Sequence, residues 1–170
     1  MNTLNILSDE WNSLREAEES LLVSRYNIRR IDDFMVIILL ALGTLSEQAT
    51  ALRFFKNDEA GLEDAELIRI IPDLIDIAVD GNKENRDIAR SVLIRYSSHF
   101  LGKRQLLKDA LERLLNRYLI RKDEKVYRRL AELLVDMHYP EFLKKLILTC
   151  KKEHHENISK IYRDFFKFIP

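Results

Sequence analysis

Three groups of side chains in this sequence have the residue types that chemistry needs: histidines beside carboxylates, a single thiol, and dense runs of opposite charge. His154, His155 and Glu156 have the composition of a metal cluster, but neighbours on a helix point about 100° apart. The positions one turn on, Ile158 and Ser159, offer no good ligand. A solvated turn is the expectation. His99 and His138 fall near expected helix ends, where an imidazole commonly caps the last carbonyls, and neither has a nucleophile or carboxylate at catalytic spacing. Cys150 is the only cysteine. It has no CxxC neighbour or nucleophile signature and cannot form an internal disulfide, which implies a reducing compartment. Phosphate loops, HExxH, EF-hand and GxSxG patterns are all missing. The chain therefore reads as a non-enzyme, with no catalytic residues, no metal site and no cofactor.

Charge is more informative. Lys and Arg total 28 and Asp and Glu 28, yet residues 1–80 hold 16 acids and 7 bases while residues 81–170 hold 12 and 21. This predicts an acidic and a basic end, a property that bears on association and steering rather than on fold. Arg113, Arg117, Arg121, Lys122, Lys125, Arg128 and Arg129 form the densest basic cluster, around a helix-to-helix turn. They are the candidate basic face for a partner, although cations also suit a helix C-terminus and Glu112 or Glu124 could pair with some of them. Asp73, Asp76 and Asp80 share one helix side and form the candidate acidic face. They lack the loop and glycine spacing of a calcium site.

The elements that position these groups are helices. Hydrophobic residues make up 46% of the chain and only four glycines and three prolines interrupt it, while apolar spacing of three and four recurs almost end to end. The first helix begins at Ser8, a good N-cap, and runs to about Tyr26 with Trp11, Leu14, Ala17 and Leu21 on one side. A second opens at Asp32 or Asp33 and ends at Gly43; being apolar all round, it should lie centrally. Its apolar run, Phe34 to Leu42, is about half of what a bilayer span needs. Thr44 and Glu47 have capping-box spacing for a third helix, to about Phe55, before a loop at Asn57, Asp58 and Gly61. From Glu63 to Val79 the helix contains Pro72, which should kink it or begin a new one. Further helices are expected over 84–100, 104–120 and 123–137. Pro140 starts a last pair that turns near His154, and Tyr162, Phe165, Phe166 and Phe168 should seal the core or, where exposed, make a contact.

Three of these helices can be superposed. Ile88, Val92 and Tyr96, then Val126, Leu130 and Leu134, then Ile158, Tyr162 and Phe165 give similar apolar rows whose starts are 38 and 32 residues apart. Each row follows a polar turn and carries a basic residue two positions after its first member: Arg90, Arg128 and Lys160. In these features residues 63–168 resemble a degenerate HEAT-like helical repeat. The basic residue is displaced by one position from the usual Val-Arg pair, since Ala89, Tyr127 and Ser159 stand where the Arg would be. The resemblance implies an all-α fold, a short right-handed stack of antiparallel helix pairs, with an irregular helical bundle as the alternative. One all-helical domain over 1–170 is expected, with N-terminal helices in 1–60 and repeat-like pairs in 63–168.

Neither architecture names an activity. The two-signed charge without a catalytic constellation points to a protein-binding module, and at fold level it is similar to bacterial immunity proteins that mask a toxin domain. The second reading is a nucleic-acid-binding repeat protein using the basic C-terminal half, although the chain is neutral overall and shows no groove-entering motif. The third is a self-assembling scaffold or homo-oligomer. No membrane partner is expected, and the missing secretory signal pattern suggests a cytoplasmic protein.

Overall fold

A proline at a first helical position, acidic or hydroxyl caps and few glycines mark helix boundaries at intervals, and the chain is helical between them. The computed structural model describes residues 8–57, 61–98, 101–153 and 155–169. Among these it is all-α, with α1 (Asp9–Arg29), α2 (Phe34–Gly43), α3 (Leu45–Asn57), α4 (Asp64–Asp80), α5 (Lys83–Ser98), α6 (Arg104–Arg121), α7 (Glu124–Asp136), α8 (Pro140–Lys152) and α9 (Glu156–Phe165). The chain divides into two compact units, Met1–Leu40 and Ala41–Pro170.

In the first unit, Ser8 caps α1 by accepting a hydrogen bond from the Trp11 amide at 3.3 Å. No residue of α1 is buried. The expectation that the second helix lies centrally fails. Phe34, Ile38 and Leu42 are buried, but Val36 and Ile37 are exposed and Leu40 is 65% exposed. Their spacing of four gives α2 a single buried stripe, so all-round hydrophobicity here supplies more apolar surface than the fold covers.

The second unit is built from helix pairs. α4 packs closely on α5 and α8 on α9, while α4, α6 and α8 follow one another side by side and α7 lies against α4, α8 and α9. α3 also packs on α5, whereas α6 and α7, consecutive in the chain, touch little and are each held chiefly by α4 and α8. The core runs through this unit: Leu67, Ile70, Ile71, Leu74, Ile75 and Ala78 of α4, Val92 and Tyr96 of α5, Leu130 and Leu134 of α7, and Leu146 and Ile147 of α8 are at most 1% exposed. Burying such side chains contributes about 1.5–3 kcal/mol each.

Local chemistry sets the ends. Glu63 and Glu66 form a capping box at the start of α4, with the Glu63 amide donating to Glu66 Oε2 at 2.9 Å. Pro72 does not begin a new helix: α4 continues through it. The carbonyl deprived of its donor belongs to Ile68, an exposed residue, where water can take the bond. α4 ends at Gly81, whose amide donates to the Ile77 carbonyl so closely that a Cβ there would come within 2.5 Å of that oxygen. Pro140 stands at the first helical position of α8, as its spacing predicts.

Candidate protein-binding surface

The candidate acids lie on α4, and the candidate bases on the neighbouring α6 (Arg113, Arg117, Arg121), at its C-cap (Lys122) and on α7 (Lys125, Arg128, Arg129); two of the acids bond to two of the bases. Arg117 Nη2 donates to both oxygens of Asp76, at 2.6 Å to Oδ2, and the buried Tyr118 hydroxyl also donates to Asp76. One turn further along each helix, Arg121 Nη2 donates to Asp80 at 2.7 Å. The two pairs form a ladder because both helices place a charge every turn on the same side, with partners 41 residues apart in each case. Arg129 of α7 reaches the last turn of α4, donating to the Val79 carbonyl at 3.2 Å. Within the second unit Asp64, Asp76 and Asp80, from the acidic half of the sequence, thus pair with Lys103, Arg117 and Arg121 of the basic half.

The remaining basic residues are placed differently. Lys122 donates to Glu153 at 3.2 Å, and Arg128 bridges Glu124 and Asp164, at 2.8 Å to each. Arg113 bonds back to the Asp109 carbonyl of its own helix at 3.2 Å, and Lys125 is exposed. Asp73, half-buried one turn before Asp76, is held above its ordinary value of 3.8 by burial first and by the Asp76 charge second, with Arg117 pulling the other way. Arg117 is raised chiefly by its bond to Asp76, and Arg121 by its bond to Asp80. Burial pushes the Tyr118 hydroxyl up, and its bond to Asp76 adds to this.

Ile120 is not among the expected partner-binding residues. It lies on the outward side of α6, one turn from Arg117 and two from Arg113, and is 79% exposed. Its signal was an aliphatic residue out of phase with the row of Leu107, Leu111 and Tyr118, all buried.

The basic residues aligned in the three superposed rows have a structural role. Arg90 of α5 donates to Glu132 at 2.9 Å and to Asp136 at 2.6 Å on α7. Arg128 of α7 repeats this towards Asp164 of α9. Lys160, on the last of the three helices, pairs with Glu156 of its own helix at 3.0 Å. A cation on α5 thus grips acids on α7, and one on α7 grips an acid on α9. The bonds to Asp136 and Glu132 outweigh burial and hold the Arg90 guanidinium above its ordinary value.

Other groups that could do chemistry are engaged in packing. Cys150 is buried and its thiol is pushed up to about 12 by burial, a setting that disfavours the thiolate. His138 is exposed, with φ of 59° and Nδ1 3.0 Å from the Asp136 carbonyl oxygen. It borders an open cleft of about 520 Å³ shared with Arg104, Tyr139, Glu141 and Phe168. Arg104 donates to the His138 carbonyl, the Tyr139 hydroxyl donates to the Arg104 carbonyl, both at 2.9 Å, and Lys108 pairs with Glu141 at 3.0 Å. These bonds hold α6 against the α7–α8 turn. Burial pushes the Tyr139 hydroxyl up to about 12. His99 and His154 lie outside the described residues. No group of three or more potential metal ligands occurs among the described residues, and no helix there is long and apolar enough to cross a membrane. At the C-terminus Phe165 is buried, but Phe166 and Phe168 are exposed, so the aromatic cluster covers the core only in part.

No family model, curated protein or solved structure matches this chain.

Proposed function

We propose that the chain is a non-enzymatic protein-binding module, HEAT-like in its helix register, whose recognition face is the outward side of α6 with the adjoining charges of α4 and α7. The observation that carries this reading is Ile120, a large aliphatic side chain 79% exposed beside the Arg117–Asp76 and Arg121–Asp80 pairs. Protein interfaces combine an apolar anchor with a polar rim in which arginine is enriched. Arginines already held by carboxylates lose less side-chain freedom on binding than free ones do. A ladder of paired charges is also locally neutral, which favours a protein surface carrying both signs over a nucleic-acid backbone. Among such modules, an inhibitor of the immunity type, laid over a partner's working surface, suits this face.

The test is capture of partners from native lysate at low salt, with nuclease, by the intact chain, by Ile120→Asp and by Arg117→Glu/Arg121→Glu. Circular dichroism of each variant confirms that it is folded. A stoichiometric protein that is retained by the intact chain, lost with Ile120→Asp and weakened by the charge reversal is the expected result. Binding that disappears with nuclease, or that survives Ile120→Asp unchanged, would sink the proposal.

A further inference from the structure

We infer that α1 is a self-association helix that pairs antiparallel with α1 of a second copy of this chain. The inference is independent of the proposed function, because it rests on the first unit alone. Over the 21 residues of α1, positions 11, 18 and 25 alternate with 14, 21 and 28 at the three- and four-residue spacing of a heptad seam. Trp11, Leu14, Leu21 and Ile28 supply four apolar members, and Glu18 and Arg25 supply two charged ones. No residue of α1 is buried, and Trp11, Leu14 and Leu21 are 53%, 51% and 49% exposed. Several large apolar side chains in one row on an uncovered helix mark an interaction surface.

Charge decides the occupant. The first half of α1 carries Asp9, Glu10, Glu16, Glu18 and Glu19 against the single base Arg15, and the second half carries Arg25 and Arg29 with no acid. Arg30 follows at the C-cap. Such a helix is complementary to itself when reversed. In a parallel pair Glu18 would face Glu18 of the other copy and Arg25 would face Arg25, two like-charge contacts in a partly desolvated seam. In an antiparallel pair Trp11 meets Ile28, Leu14 packs beside Arg25, and Glu18 lies one layer from the opposite Arg25. A second copy supplies this pattern by symmetry, and an isologous two-fold contact closes after two subunits.

The experiment is sedimentation of the full chain over a concentration series at low and high salt, with fluorescence of Trp11, the only tryptophan, recorded in parallel. A monomer–dimer equilibrium is expected, with Trp11 emission shifting to the blue as the dimer fills. The double variant Leu14→Lys/Leu21→Lys should remain monomeric with its helical signal retained. Should it lose helix content, the single charge variants carry the test. Glu18→Arg and Arg25→Glu should each weaken the dimer, about tenfold or more in Kd, and Glu18→Arg/Arg25→Glu together should recover much of it, because the reversed pair meets only in the antiparallel arrangement. A monomer at every concentration overturns the inference, whether α1 is then covered within the chain or by another protein. A dimer without rescue in the combined variant overturns the antiparallel arrangement. Arg117→Glu/Arg121→Glu should leave self-association unchanged, so the failure of one proposal is readable apart from the other.

Discussion

The α1 helix and the stack of α4 to α9 are comparable in hydrophobic spacing but opposite in how they use it. Leu67, Leu74, Leu130 and Leu146 in the stack are fully buried, whereas the Trp11–Leu14–Leu21 row of α1 is half-exposed along its length. Charge follows the same division. In the stack, cations are tied to acids on other helices, as in Arg90 with Glu132 and Asp136 or Arg117 with Asp76. Along α1 the two signs are segregated into opposite halves of one helix. Periodicity therefore marks an apolar face, and burial shows which of the two faces is covered.

The largest effect that separates the two regions comes from truncating a leucine in each. Leu130→Ala should destabilise the stack by about 2–5 kcal/mol in urea unfolding, because neighbours cannot fully collapse into the space left behind. Leu14→Ala, measured at concentrations too low for association, should change stability by no more than about 0.5 kcal/mol. Comparable losses at the two positions would break the comparison. Buried polar groups of the second unit come next. Asn85 Nδ2 donates to Gln48 Oε1 at 2.7 Å, and Gln48 Nε2 donates to the Leu42 carbonyl at 2.7 Å, all within buried side chains. Asn85→Ala leaves the Gln48 oxygen without this donor and should cost about 1–3 kcal/mol by thermal or urea unfolding. A smaller change would mean that water enters and replaces the amide. For the staple between successive second helices, Arg90→Ala should cost about 1–2 kcal/mol, discounted because Glu132 and Asp136 are each about two-fifths exposed. A double-mutant cycle with Asp136→Ala isolates the pair, and a coupling near zero would show that the staple orients α5 and α7 without stabilising them.

Most helix limits were legible because each depends on a few neighbouring residues: Ser8 and Pro140 act where their types predict, whereas the Glu63–Glu66 box at the start of α4 was not among the expected caps. The ends at Lys122 and His138 were also placed to within a residue, although both take positive φ, 50° and 59°, at positions where glycine would have been the usual signal. The central placement of α2 failed for a different reason. Composition measures how much apolar surface a helix has, but only tertiary packing decides that Phe34, Ile38 and Leu42 are covered and Leu40 is not. The candidate site was half legible. Helical spacing placed Asp76 with Asp80 and Arg113 with Arg117, but no local pattern states that Arg117 meets Asp76 across 41 residues. The superposed apolar rows came nearest, because they aligned Arg90 with Arg128, and in the structure Arg90 joins α5 to α7 and Arg128 joins α7 to α9.

The smallest predicted effect tests whether charge in the stack is everywhere favourable. Asp73 lies beside the ladder without its own cation, and burial and Asp76 hold its carboxyl above 3.8. A carboxyl whose folded value is raised binds its proton more tightly in the folded state. The resulting stabilisation is complete below the unfolded value and is lost as pH rises through the folded one. At neutral pH the charged form is a liability, so Asp73→Asn should raise Tm slightly at pH 7, and the gain should shrink as pH falls to 3.8 and below. Thermal melts of the two proteins across that range decide the matter. A variant less stable than the native chain at pH 7 would mean that the attraction of Arg117 outweighs burial, and that Asp73 belongs to the ladder after all.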